Sequence, residues 1–320
     1  MAAPRERPAA GDRRAPAAPR QPRDAGLGAV PRPGGREAGR GRGAPWRARN
    51  ARGRRTRRRP EAGMSLAPGT RVLVTGGAAG IGRAMADAFA EARARVWIAD
   101  ADEDALGAAP TGWGRTRCDV ANRASVDALF DAVHAEWGGL DVLCANAGTS
   151  GPTARVEDVD PDDWRACLAV NLDGAFLCAR RAAPWMKAQG AGVITLTSST
   201  SGLNGHPLRS PYCAAKWGVI GLARTLAMEL GPFGVRANAI CPGAVEGPRM
   251  DRVIAREAAE RGMTEQAVRD GYASGTALGR FSTPAEIAAL AVFLATPGAA
   301  MISGQALAVD GFTINPDPQV

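Results

Sequence analysis

The sequence predicts one α/β domain built on a doubly wound, all-parallel β-sheet with helices on both faces, preceded by an extension that does not fold. Three observations predict it. From Arg71 onward, short β-branched runs alternate with helical stretches, which implies right-handed crossovers between parallel strands. Runs such as Val72-Leu73-Val74 and Val142-Leu143-Cys144-Ala145 are continuously apolar, as strands are when helices cover both sheet faces. Residues 1–63 have a different composition, with 18 Arg, nine Pro, no Lys and no Ser.

In chain order the expected strands are Arg71–Thr75, Arg95–Ala99, Arg115–Cys118, Leu140–Ala145, Gly192–Thr197, Val235–Ile240 and Gln305–Val309. Between them the 3.6-residue period of apolar positions predicts helices Ile81–Glu91, Arg123–Glu136, Asp162–Gln189, Pro211–Leu230, Pro248–Gly262, Glu265–Ala273 and Pro284–Ala295. No fixed-period repeat and no second domain are visible, so residues 64–320 are expected to form one unit.

Residues 1–63 hold five acidic residues against 18 Arg, a net charge of +13, so the remainder of this +8 chain carries −5. Pro, Gly, Ala and Arg cannot bury enough apolar surface to offset the entropy of ordering. A transit peptide would be Ser-rich and amphipathic, and no apolar run follows Arg13-Arg14 as an export signal requires. The basic run Arg52–Arg59 could act as a nucleic-acid arm, but the preferred reading is upstream sequence read from an early start, with Met64 opening the domain. The acidic balance of residues 64–320 argues against nucleic acid as a partner. The six Cys include no C-x-x-C pair and no zinc spacing, so they read as reduced thiols of a cytoplasmic protein. The longest apolar run, Ile287–Ala295, is too short to span a membrane.

Thr75-Gly76-Gly77-Ala78-Ala79-Gly80-Ile81-Gly82 lies between the first strand and the first helix. Glycines there let the backbone approach a pyrophosphate, and the helix N-terminus offers free N–H groups and a positive dipole end. The second strand ends at Asp100, 18 residues after Gly82. A carboxylate at that place accepts from ribose hydroxyls and repels a 2′-phosphate. No basic residue lies within Gly76–Gly82 or directly after Asp100. The expected cofactor is therefore NAD, with NADP less favoured.

At this point the chain resembles the short-chain dehydrogenase/reductase family, whose sheet is of the Rossmann type, over essentially all of residues 70–312. The motifs that carry the resemblance are the glycine loop Thr75–Gly82, Asp119-Val120, Asn146-Ala147-Gly148, Asn171, Ser199, Tyr212-Cys213-Ala214-Ala215-Lys216, Pro242-Gly243 and Asp310-Gly311. The resemblance implies a catalytic set of Asn171, Ser199, Tyr212 and Lys216. It also implies a dinucleotide held by Thr75, Gly76, Gly80, Ile81, Gly82, Asp100, Asp119, Val120, Asn146, Ala147, Gly148, Tyr212, Lys216, Pro242, Gly243 and Val245. One departure is that Pro242-Gly243 is followed by Ala244-Val245-Glu246-Gly247, without the Thr that the family uses against the nicotinamide.

Chemically the set is coherent. Tyr is a base near neutral pH only if its pKa falls from about 10. Lys216, at i+4 from Tyr212 on one helix face, supplies the cation that lowers it. The chain has only two Lys and two Tyr, which makes their pairing at this spacing notable. Ser199 would align the substrate oxygen, and Asn171 would hold a water between Lys216 and solvent. The expected reaction interconverts a secondary alcohol and a ketone. His206, Arg209 and Arg249 are candidate contacts to a polar or anionic small-molecule substrate. The mixed charges of 246–272 read as a solvated helix face. The resemblance implies a homotetramer, or failing that a dimer, built on helices Asp162–Gln189 and Pro211–Leu230, and Ala166, Leu168, Ala169, Leu172, Phe176 and Ala179 offer an apolar surface for it. The alternatives are a 3-oxoacyl-thioester reductase, which Asp100 disfavours, and a non-enzymatic dinucleotide sensor, which an intact Ser199, Tyr212 and Lys216 set disfavours.

Overall fold

Strands β1 (Arg71–Thr75), β2 (Arg95–Asp100), β3 (Gly114–Arg117), β4 (Val142–Ala145), β5 (Gly192–Thr197), β6 (Val235–Pro242) and β7 (Ala306–Val309) form one sheet in a computed structural model that describes residues 63–315 and 317. Apart from Gly63, the segment expected not to fold lies outside the described residues. All pairings are parallel, and the order is β3-β2-β1-β4-β5-β6-β7. The doubly wound sheet is therefore as the sequence predicted, with strand ends shifted by at most two residues.

The continuous apolar runs divide by strand alternation between two cores. Leu73, Leu143 and Ala145 point to one face, while Val72, Val74, Val142 and Cys144 point to the other. Helices α3 (Arg123–Trp137), α5 (Gly174–Gln189) and α6 (Ser210–Leu230) close the first core; α1 (Gly80–Glu91) and α9 (Pro284–Ala295) close the second. Helices α7 (Pro248–Arg261) and α8 (Glu265–Ser274) bury a third, small cluster around Ile254, Ala258, Val268 and Phe281. Both α7 and α8 follow β6, so this cluster stands at the C-terminal end of the sheet.

Two elements differ from expectation. Helix α2 (Glu103–Gly107) has too few residues to show a period, and the Asp102 carboxylate starts it by accepting from Ala105 N–H at 3.0 Å. The helix expected over Asp162–Gln189 is interrupted: α4 (Pro161–Leu168) widens into a π turn, Ala169–Asp173, before α5. The Asn171 amide accounts for this. Its Nδ2 donates to the Cys167 carbonyl at 2.9 Å, the acceptor that a regular helix reserves for the Asn171 backbone N–H. The displaced turn widens, as helices do where a side chain enters the ladder. Ala179, expected on the outer apolar surface, is instead fully buried in the first core.

Because all the strands run parallel, the loops after β1, β2, β4, β5 and β6 all open at the C-terminal end of the sheet. The order reverses between β1 and β4, where an open α/β sheet forms a crevice for ligands.

Candidate active site

A cavity of about 720 Å³ opens at this crevice. At one end the glycine loop forms its floor. A Cβ on Gly82 would lie 1.9 Å from the Gly76 carbonyl oxygen, so no other residue fits there without moving the loop. Helix α1 starts after Ala79, which has no side chain to cap its first N–H groups. Those donors, beside Gly80, Ile81 and Gly82, are left for an anion. The Asp100 carboxylate stands over the loop and accepts from Ala78 N–H at 3.1 Å and Asp102 N–H at 3.2 Å. Asp119 and Val120 line the same end.

Asn146 ties the crevice together. It donates from Nδ2 to the Thr75 carbonyl at 3.1 Å and accepts from Thr197 Oγ1 at 3.1 Å, linking β1, β4 and β5. Thr75 Oγ1 accepts from the N–H groups of Asn146 and Ala147, both at 3.1 Å.

At the other end Tyr212 and Lys216 project from the first turns of α6. The Lys216 side chain is buried and donates to the Thr197 carbonyl at 2.8 Å. Its Nζ lies 5.5 Å from the centre of the Tyr212 ring. Ser199 lies two residues beyond the end of β5, and its Oγ accepts from Ser201 N–H at 3.1 Å. Two further cations reach the same ring. The guanidinium carbon of Arg209 lies 4.9 Å from its centre, and that of Arg249 lies 6.0 Å away.

These charges set the site's proton chemistry. Burial pushes the Tyr212 phenol up, but Lys216, Arg249, Arg209 and the Ser199 hydroxyl together bring it below the ordinary 10. Burial holds the Lys216 ammonium below its ordinary 10.5, against the pull of the Tyr212 phenolate. Burial and the nearby Arg209 hold His206 down at about 4, so its ring is neutral at pH 7. His206 Nδ1 lies 3.2 Å from Ser201 Oγ.

The chain matches the family model described as Enoyl-(Acyl carrier protein) reductase over residues 76–312. It is 39% identical to the cis-4-hydroxycyclohexanecarboxylate dehydrogenase of Sinomonas cyclohexanicum, over 75% of this chain and 94% of that one. It is 38% identical to the D-threitol dehydrogenase of Mycolicibacterium smegmatis, over 75% of this chain and 90% of that one. The crystal structure of an NAD⁺-bound xylitol dehydrogenase superposes with a TM-score of 0.74 at 29% identity, covering 76% and 98% of the two chains. The chain belongs to the short-chain dehydrogenase/reductase family.

This short-chain dehydrogenase/reductase is accordingly an alcohol oxidoreductase that takes a nicotinamide dinucleotide. The residues present fit such a cofactor: the uncapped start of α1 offers donors for phosphates, and the Gly76–Gly82 close approach leaves room for them. Among the residues expected from the sequence, Gly76, Gly80, Ile81, Gly82, Asp100, Asp119, Val120, Asn146, Ala147, Gly148, Pro242, Gly243 and Val245 all line the cavity. So do Ser199, His206, Arg209, Tyr212, Lys216 and Arg249.

Two expected residues stand behind the wall instead. Thr75 is buried, and its hydroxyl is occupied by the 146–147 backbone, so it holds the loop and does not face a ligand. Asn171 is buried beneath Gly148, and its Oδ1 has no hydrogen-bond partner. A Cβ on Gly148 would lie 2.7 Å from that Oδ1 and 3.5 Å from Lys216 Nζ, so both polar groups face the same small space. The 246–272 segment is not uniformly a solvated face either. Glu257 is buried, accepts from Tyr272 Oη at 2.6 Å and pairs with Arg261 at 2.9 Å. Sequence reasoning missed Thr313 and Asn315, which line the cavity because the chain after β7 folds back over α8 and its backbone bonds to the Gly275 carbonyl. Nothing in their side chains signals this; the return path is set by backbone pairing.

Proposed function

We propose that the chain is an NAD-dependent dehydrogenase of secondary alcohols in which Tyr212 is the acid/base. The observation that carries the reading is the convergence of Ser199, Tyr212 and Lys216 at the cavity end opposite the Asp100 loop.

In the oxidation direction Tyr212, held as phenolate by Lys216, accepts the hydroxyl proton of the alcohol. Ser199 Oγ holds the same oxygen and fixes the carbinol carbon for transfer. The dinucleotide, when bound, supplies the acceptor for the hydride. The proton leaves Tyr212 through the Lys216 ammonium, toward the space that Asn171 Oδ1 faces. The carbonyl of Thr197 fixes the Lys216 ammonium, so the relay is held by backbone. General acid–base transfer of this kind contributes about 10²–10⁴-fold.

Asp100 supports NAD over NADP. Its carboxylate edges the cavity, and the only hydrogen bonds it makes among the described residues come from backbone N–H groups. A 2′-phosphate there would meet a negative charge with no Arg or Lys in the adjoining loop to offset it. Dinucleotide reduction followed by absorbance, with a panel of secondary alcohols and both cofactors, tests the reading. Turnover with NAD and little with NADP supports it. No turnover of any alcohol, or a preference for NADP, contradicts it.

We further propose a homotetramer built on α4, α5 and α6, where Trp164, Phe176 and Trp217 are left exposed.

A further inference from the structure

We propose that the substrate is a hydroxy acid whose carboxylate is bound by Arg209, with Arg249 completing the contact from the start of α7. The inference rests on the reading of Tyr212 as the base for alcohol oxidation and goes further by naming the substrate class.

Arg209 is only 8% exposed, yet it has no acidic partner among the described residues. Its Nη2 donates to the Ser150 carbonyl at 3.0 Å, and its Nε is buried with no acceptor. Arg252 and Arg256 of α7 also form no ion pair among the described residues, but both are exposed, whereas the two partly buried Arg residues of α7 and α8 are matched. Arg261 pairs with Glu257 and Asp317, and Arg269 pairs with Glu246 and Asp251. Glu257, the buried carboxylate of α7, is already occupied by Tyr272 Oη and Arg261. Arg249 likewise forms no ion pair among the described residues and donates only to the Gly148 carbonyl, at 3.2 Å. A buried cation without an anion is costly, and stacking on the Tyr212 ring offsets only part of that cost. Both guanidinium groups line the cavity beside Tyr212.

The fork of a guanidinium matches a planar carboxylate. Placement is held as well as charge. Leu208 takes a left-handed φ of 62°, and its carbonyl accepts from Ala154 N–H at 3.0 Å, which fixes the turn that delivers Arg209. With the carboxylate on Arg209, the alcohol carbon a few bonds away falls to Tyr212 and Ser199. The step balances as hydride from the carbinol carbon to NAD⁺ and the hydroxyl proton to Tyr212. A ketone forms, and the carboxylate is unchanged.

The test compares 3- and 4-hydroxypentanoate with their neutral carboxamides as substrates, in the parent chain, Arg209→Met and Arg209→Lys. The parent should favour the acids by at least about thirtyfold in kcat/KM. In Arg209→Met the acids should lose at least tenfold more than the amides, mainly through KM, and Arg209→Lys should restore part of that loss. Equal use of acid and amide by the parent, or an equal fall of both in Arg209→Met, would overturn the proposal and leave Arg209 as a residue that tunes Tyr212. Binding of the corresponding oxo acids and oxo amides to the NADH complex, read by cofactor fluorescence, separates this from the proposed reaction. Acid-selective binding that Arg209→Met abolishes, without turnover, upholds the clamp and refutes the dehydrogenase reading. Binding without selectivity refutes the clamp alone.

Discussion

Lys216 Nζ donates to the carbonyl of Thr197, the last residue of β5, at 2.8 Å. This bond joins the helix that carries Tyr212 to the strand that leads into Ser199. The two groups proposed to meet the substrate oxygen are thereby tied to one ammonium. Burial lowers the affinity of that ammonium for its proton, while the Tyr212 phenolate raises it.

The pH profile follows from this pair. Oxidation requires phenolate, so activity should rise with pH through the Tyr212 pKa, which lies below 10. Removing the largest favourable charge in Lys216→Met should move that rising limb upward, toward or beyond the free tyrosine value. The measurement is kcat/KM against pH for both proteins. A limb that stays in place would show that Arg209 and Arg249, not Lys216, tune the phenol.

Cofactor choice should respond to charge at position 100. Asp100→Asn removes the negative charge and keeps one of the two acceptor oxygens, enough to retain the 3.1 Å bond from Ala78 N–H of the glycine loop while the bond from Asp102 N–H is lost. The ratio of NADP to NAD affinity should rise by about tenfold or more, equivalent to about 1.4 kcal/mol. Calorimetry with each dinucleotide reads it directly.

Gly148→Ala probes the packed space between Asn171 and Lys216. Its Cβ would stand 2.7 Å from Asn171 Oδ1. Overpacking of this kind costs about 1–3 kcal/mol, so the melting temperature should fall by several degrees. Turnover should fall further than the loss of folded protein explains, because Lys216 Nζ lies on the same side. Unchanged turnover in the folded fraction would remove Asn171 from the proton path.

The assembly is open to a direct check. Phe176 is 49% exposed and Trp217 54% exposed on adjacent helices, an unusual cost for a monomer. Light scattering at micromolar concentration should give a tetramer mass, and Phe176→Glu should lower it. A monomer mass for the parent chain would reject the proposed interface.

Much of this site is legible in the chain because its parts are local. The glycine loop, the i, i+4 pair of Tyr212 and Lys216, and the strand-end Asp100 each lie within one element or one turn. What was not legible depends on distant partners. Asn171 could be named from its motif, but the π turn arises because its amide competes for a backbone acceptor and also reaches the Thr149 carbonyl. Glu257 looked like one charge among many until Tyr272, 15 residues on, closed over it. The absence of an acid beside Arg209 is likewise a property of the fold, since Asp and Glu are frequent in the 246–272 segment itself.

The most direct test of the account is Tyr212→Phe. The change removes one hydroxyl and keeps the ring on which Arg209, Arg249 and Lys216 converge. Single-turnover dinucleotide reduction, with an alcohol that the parent chain demonstrably uses, isolates the chemical step. The account predicts a fall of at least about 10²–10⁴-fold, the usual contribution of a general base, with NAD affinity changed by less than about threefold. A rate within tenfold of the parent would contradict it and would show that another group takes the proton.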